Sequence, residues 1–250
     1  MANLPPIPFQ RNAVSPIDCI KGGWNLIKGN YWLIFAMCLV GYLIGAAIPL
    51  GILVGPMMCG MFLTFFKIRR REPIEFNSLF KGFDYFGPSV IATLVHVVPV
   101  LLIVVPSYIL FYVFFVVAMV TQGGNDPNPV ALLGVFAAFA LFWIVVIAVL
   151  MVVSIGFMFA YPLIVDRGMQ GFDAVKLSFK AAMANFWRLL GLVMLNFLLN
   201  LGIGLLTCMI GCIFLIPVLY AATAVAYEQV FGLGNPNDYA NVPPPPPVFS

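Results

Sequence analysis

Groups that can carry chemistry are sparse in this chain, and their spacing closes most reaction classes. His96 is the single histidine. An HExxH zinc site needs two, and a serine–histidine pair would have to join Ser154 to His96 with no base placed near the serine. No Asp or Glu is expected inside a span, which excludes an intramembrane aspartyl dyad and counts against proton or sodium coupling of the usual kind. The five cysteines, Cys19, Cys38, Cys59, Cys208 and Cys212, form no CxxC pair. Cys208 and Cys212 share a helix face, but zinc would need further ligands nearby. All five read as small apolar residues in packed or lipid-facing helices, and an odd count does not suit a stapled secreted fold. The expectation is a protein that is not an enzyme and holds no cofactor or metal. His96 has two readings: a neutral imidazole satisfied by a carbonyl or by Thr93 one turn earlier, or an intramembrane polar site that faces a ligand.

The elements that must position these residues follow from composition. Of 250 residues, 63% are hydrophobic and 8% are charged, where a soluble domain carries about 25% charged residues. Mean hydropathy is +1.07. A soluble enzyme, a disordered chain and a nucleic-acid binder are all excluded. From Tyr31 to Phe66 no residue is charged. One straight helix of that length would measure about 54 Å, against a hydrocarbon core of roughly 30 Å, so the run must fold back. Pro49, Gly51, Gly55 and Pro56 supply the break, giving spans near 31–48 and 52–68. Two further uncharged runs, 88–120 and 130–165, flank the loop signal 121–129. Each is too long for one upright span, so tilted or Pro-kinked helices that overshoot the bilayer are expected. A last hairpin is read at 186–206 and 210–229, and Pro243 to Pro247 favour an extended tail.

The expected fold class is therefore all-α: a polytopic transmembrane helical bundle of six spans. Its parts are a disordered arm at 1–15, a membrane domain at 16–230 and a Pro-rich disordered tail at 231–250. Placing both termini in the cytoplasm puts all 12 Lys and Arg on one side and none in the three outer connections, as the positive-inside rule requires. Lys67, Arg69, Arg70 and Arg71 then stand where anionic headgroups lie, and membrane lipids are the expected partners.

Residues 18–32 resemble 173–187. Asp18 matches Asp173, Lys21 matches Lys176, Asn30 matches Asn185 and Trp32 matches Trp187. Shifted by six, Pro56 aligns with Pro217 and Gly60 with Ala221. A weaker third copy begins at Phe80-Lys81-Gly82, which echoes Ile20-Lys21-Gly22. The expected unit is a cytoplasmic-side amphipathic helix followed by a hairpin, as an internal parallel repeat near 16–68 and 171–229 around a middle hairpin at 74–165. In the first unit Ile17, Ile20, Trp24 and Ile27 share a face that would lie on acyl chains. The same offset sets the GxxxG of Gly41 and Gly45 against Asn196 and Asn200. Small residues admit close approach and Asn hydrogen-bonds across it, so these four are expected at a repeat interface or a shared cavity. The alternative is that the glycines pack on span two and the asparagines bond carbonyls one turn back.

Gly55-Pro56…Gly60, Arg70-Arg71-Glu72-Pro73 and Leu79-Phe80-Lys81-Gly82-Phe83 resemble the patterns of uncharacterised six-span bacterial integral membrane proteins. Tyr161-Pro162-Leu163-Ile164-Val165-Asp166 is similar to them too, and the whole is similar to the membrane domain of glycerophosphodiester phosphodiesterases. The resemblance implies a fold and a bacterial cytoplasmic membrane, and no activity. The functional expectation is a membrane scaffold or envelope-maintenance protein. The alternative is a transporter or flippase-like carrier of a lipidic or hydrophobic solute, which a cavity between the halves would favour.

Overall fold

Apolar runs in lipid must close their backbone hydrogen bonds internally, and helices do so within one segment. The computed structural model describes residues 8–47, 51–122, 129–207 and 209–233, and every regular element among them is helical. Ser15 in extended backbone and Pro16 in the first turn start α1, Pro16–Ile27. A 3-10 turn, Lys28–Asn30, leads into α2, Tyr31–Ala47, and α3 covers Val54–Arg69. A 3-10 segment, Phe76–Tyr85, opens into α4, Phe86–Gln122, and α5 covers Pro129–Phe157. Then come α6, Ala160–Arg167, α7, Gly171–Ala184, α8, Phe186–Leu206, and α9, Ile210–Phe231. The turn expected near 49–51, the loop at 121–129, the turn around Thr207–Gly211 with Cys208, and the tail fall wholly or partly outside the described residues.

Among the described residues five stretches are long and apolar enough to cross a membrane: 16–47, 76–118, 133–167, 186–206 and 210–231. The sixth expected span is α3. It has 16 residues, about 24 Å of helix, and most of it is buried among its neighbours. At 37 residues, α4 is the longest helix. It measures about 55 Å and overshoots a bilayer core, as the uncharged run implied. Its far half is tied to α5 by rings: Tyr108 meets Trp143 at 5.3 Å and Phe111 meets Phe139 at 4.4 Å.

The break between α5 and α6 has a local cause. Pro162 has no N–H for the carbonyl one turn back, and Gly156 lacks a side chain. Ser178 of α7 fills the gap, donating to the Gly156 carbonyl at 2.6 Å and accepting from the Phe159 N–H at 3.1 Å.

Three short elements lie on long ones in a regular way. The 3-10 segment 76–85 lies along α3, α7 lies along α4, α5 and α6, and α1 lies along α9. The contact faces are made of small residues. A side chain at Gly23 would strike the backbone of Ala221 and Ala222, and one at Gly82 would strike that of Pro56 and Gly60. In α1, Ile17 and Trp24, read as facing acyl chains, are exposed, whereas Ile27, read on the same face, is buried with Cys19 and Gly23. In lipid, close approach between small residues governs which face is buried, and apolar bulk does not.

The arm expected to be disordered is held from residue 9 onward. Phe9 stacks near Phe231, Gln10 N–H donates to the Val230 carbonyl, and Ala13 N–H donates to Asn185 Oδ1. Asn185 also donates to the Gln10 and Ala181 carbonyls. Burial of this polar side chain is affordable because each of its atoms finds a partner.

Candidate functional site

The long helices meet at one end and part at the other. Where the C-terminal ends of α3 and α9 meet α6 and the residue before it, Phe66 contacts Tyr227 at 5.5 Å, Phe159 contacts Tyr227 at 6.3 Å, and Tyr227 stacks on Phe231 at 5.1 Å. Charges close the same end. Asp166, its side chain fully buried, pairs with Arg70 at 3.1 Å and with Arg167 at 3.1 Å, and it accepts a hydrogen bond from the Tyr227 hydroxyl at 2.8 Å. Arg69 pairs with Glu228 at 2.7 Å, and Arg167 donates to the Phe231 and Gly232 carbonyls at the end of α9. A guanidinium at a helix C-terminus also meets the negative end of its dipole.

Away from that end the helices leave a cavity of about 1000 Å³. It reaches from mid-height to the α2–α3 connection, lined by the C-terminal half of α2, the N-terminal half of α3 and facing parts of α4, α5, α6 and α9. The lining is mostly apolar and rich in methionine: Met57, Met58 and Met61 of α3 with Met151 and Met158 from the α5 side. Its polar members are Thr93 and His96, one turn apart on α4, with Ser154 and Tyr161. Thr93 donates to the Ser89 carbonyl at 2.8 Å and lies 3.1 Å from the Tyr161 hydroxyl oxygen. His96 sets its ring edge-on to Phe157, with centroids 4.5 Å apart. Aromatic contact of that kind fixes ring orientation.

The structure divides the residues singled out in the sequence. Gly41 and Gly45 line the cavity and face α3: side chains there would meet Met57 and Leu79, or Val54. Asn196 and Asn200 are not in its lining. Asn200 donates to the Asn196 carbonyl at 2.9 Å, the local bond one turn back, and Cys212 lies 3.4 Å from the Asn200 carbonyl. The repeat interface is therefore corrected: α2 and α8 each pack on α9, and the two motifs are not brought together. His96 lies on the cavity wall, and Thr93 donates to the Ser89 carbonyl and contacts the Tyr161 hydroxyl oxygen instead. Of the basic cluster, Arg69 and Arg70 are engaged in ion pairs, Lys67 reaches Ser78 at 3.5 Å, and Arg71 is exposed in left-handed backbone.

Asp166, Tyr227 and Glu228 were missed. Glu228 also corrects the expectation that no carboxylate lies in a span, since it falls in the last turn of α9. The signal for Asp166 was present, because it ends the run Tyr161-Pro162-Leu163-Ile164-Val165. Among the described residues no three His, Cys, Asp or Glu side chains gather as metal ligands.

An all-helical chain with several apolar membrane-length helices around a half-open, uncharged cleft is a multi-pass membrane protein. Residues 51–233 match the family described as Protein of unknown function (DUF975), and the chain belongs to that family. No curated protein and no solved structure matches it, and the likeness to glycerophosphodiester phosphodiesterases is without support.

Proposed function

We propose that the protein is a non-enzymatic carrier that holds a lipidic or hydrophobic ligand in the cavity between its helices. The observation that carries this reading is the cavity itself. Its volume is at the upper end of ligand sites, and its lining is apolar with a few convergent polar groups. A tightly packed bundle would have favoured the scaffold and envelope-maintenance reading. The aromatic and ionic closure at one end suits a carrier that is shut on that side.

Six crossings belong to this reading, with α3 as a short internal one. A helix enclosed by protein need not match the full core thickness, because its neighbours set the local bilayer. An internal repeat of three units also belongs to it. Each unit has a short element and a hairpin, and each short element rests on the second arm of the unit before, with α1 closing the ring on α9. Trp32 and Trp187, 70% and 79% exposed, hold matching positions at the foot of α2 and α8, where aromatic belts anchor helices at headgroup level. Both termini inside and anionic headgroups near Lys67, Arg69, Arg70 and Arg71, of which Arg69 and Arg71 are exposed, are the orientation the charge sorting supports, and the bacterial cytoplasmic membrane is what the resemblance implies.

Two measurements test these readings. For topology, cysteines placed at Gly124 or Asn128 should label from outside and one at Lys81 should not. Ser78 is too buried to serve. Outside labelling at Lys81 would overturn the six-crossing arrangement. For the ligand, native mass spectrometry of gently solubilised protein should show a retained lipid. Ser154→Trp and Val97→Trp, which fill the cavity, should lose it, while Leu141→Trp on the outer surface of α5 should keep it. Equal retention in all three would defeat the carrier reading.

A further inference from the structure

We propose that the ligand is an uncharged lipid alcohol, a long-chain amphiphile with a free hydroxyl at its head, and that Tyr161, His96 and Ser154 bind that hydroxyl. This inference rests on the carrier reading above and narrows it. None of the lining residues is Asp, Glu, Lys or Arg. A phosphate head drawn into this space would lose its hydration and find no counter-charge, which is among the most unfavourable burials known in proteins. A neutral head carries no such penalty.

The protons on the polar wall narrow the head further. Thr93 has one hydroxyl proton, and the Ser89 carbonyl takes it. The 3.1 Å contact with Tyr161 is therefore donated by Tyr161. The tyrosine oxygen keeps an acceptor lone pair and has no proton left to give. A neutral His96 offers one donor and one acceptor, and Ser154 offers both. The wall thus presents donors and acceptors together. A hydroxyl uses both kinds. An ester or ketone oxygen uses only donors and leaves the buried Tyr161 oxygen without a partner, a loss that discriminates strongly in enclosed sites. The rest of the lining suits the tail, since five methionine thioethers can adapt to a chain of irregular shape.

The test uses full-length protein in nanodiscs with three photoreactive probes that share one diazirine-bearing acyl chain. They are a 1,2-diacylglycerol, its 3-O-methyl ether and a phosphatidylglycerol. Cross-linked peptides are mapped by mass spectrometry. The diacylglycerol should label the 57–61 and 151–158 segments about tenfold more than either other probe, a preference of roughly one hydrogen-bonded group. Ser154→Lys, which places a cation in the wall, should turn the preference towards phosphatidylglycerol. Labelling of these segments by phosphatidylglycerol or by the ether as strongly as by the diacylglycerol would overturn the lipid-alcohol proposal and leave the carrier reading standing. No labelling there by any probe would overturn both.

Discussion

Replacing Asp166 by Ala is expected to destabilise the folded protein by about 3–5 kcal/mol, the cost of removing one partner from a buried ion pair. Its carboxylate is fully buried and holds Arg70 of α3, Arg167 beside it and the Tyr227 hydroxyl of α9. Without it, two guanidinium groups and a phenol face each other at the meeting point of three helices. Glu228→Ala is the comparison. Its partner Arg69 is 41% exposed, so solvent screens that pair and the loss should stay near 1 kcal/mol or below. Denaturant unfolding in lipid bicelles measures both. Equal losses would mean that the Asp166 cluster does not hold the closed end together.

The second large effect is expected at Gly60. A side chain there would fall on the Leu79 carbonyl oxygen, while one at Gly82 across the interface would fall on the Pro56 carbonyl oxygen. Both obstacles are backbone, so no rotamer change relieves them. Gly60→Val should cost about 3 kcal/mol or more, beyond ordinary overpacking, and should release the 76–85 segment from α3. Gly202→Ala, where nothing lies within 4 Å, should cost nothing and gain up to about 1 kcal/mol of helix propensity. Protease cleavage near residue 76 reports the release, and thermal unfolding reports the stability.

These two sites also show what the sequence made legible. The uncharged runs mark where the long apolar helices fall and their rough extent, and the runs at 88–120 and 130–165 announce helices longer than a bilayer. The packing faces of the short elements were less legible than their lipid-facing residues. In a soluble protein, apolar bulk points to the core. Here lipid is as apolar as the interior, so Ile17 and Trp24 can be exposed while Cys19 and Gly23 are buried. Glycine spacing was the better guide, and it was applied to Gly41 and Gly45 with the wrong partner. Their neighbour in space is α3, the next helix in the chain, which a short connection makes the default. The pairing of Arg70 with Asp166 links residues far apart in sequence, and no local pattern encodes it. The polar part of the lining was partly visible: His96, Thr93 one turn before it and Ser154 stood out as rare polar groups, but only the fold sets Tyr161 beside Thr93.

The central claim is that this bundle encloses a ligand. A structure determined in discs cut directly from the native membrane tests it most directly. The account predicts elongated density between α2, α3 and α5, with its head end against Thr93, His96 and Tyr161 and its tail along Met57, Met61 and Met151. Helices α2, α3 and α5 packed against one another, with no space between Gly45, His96 and Ser154, would contradict it.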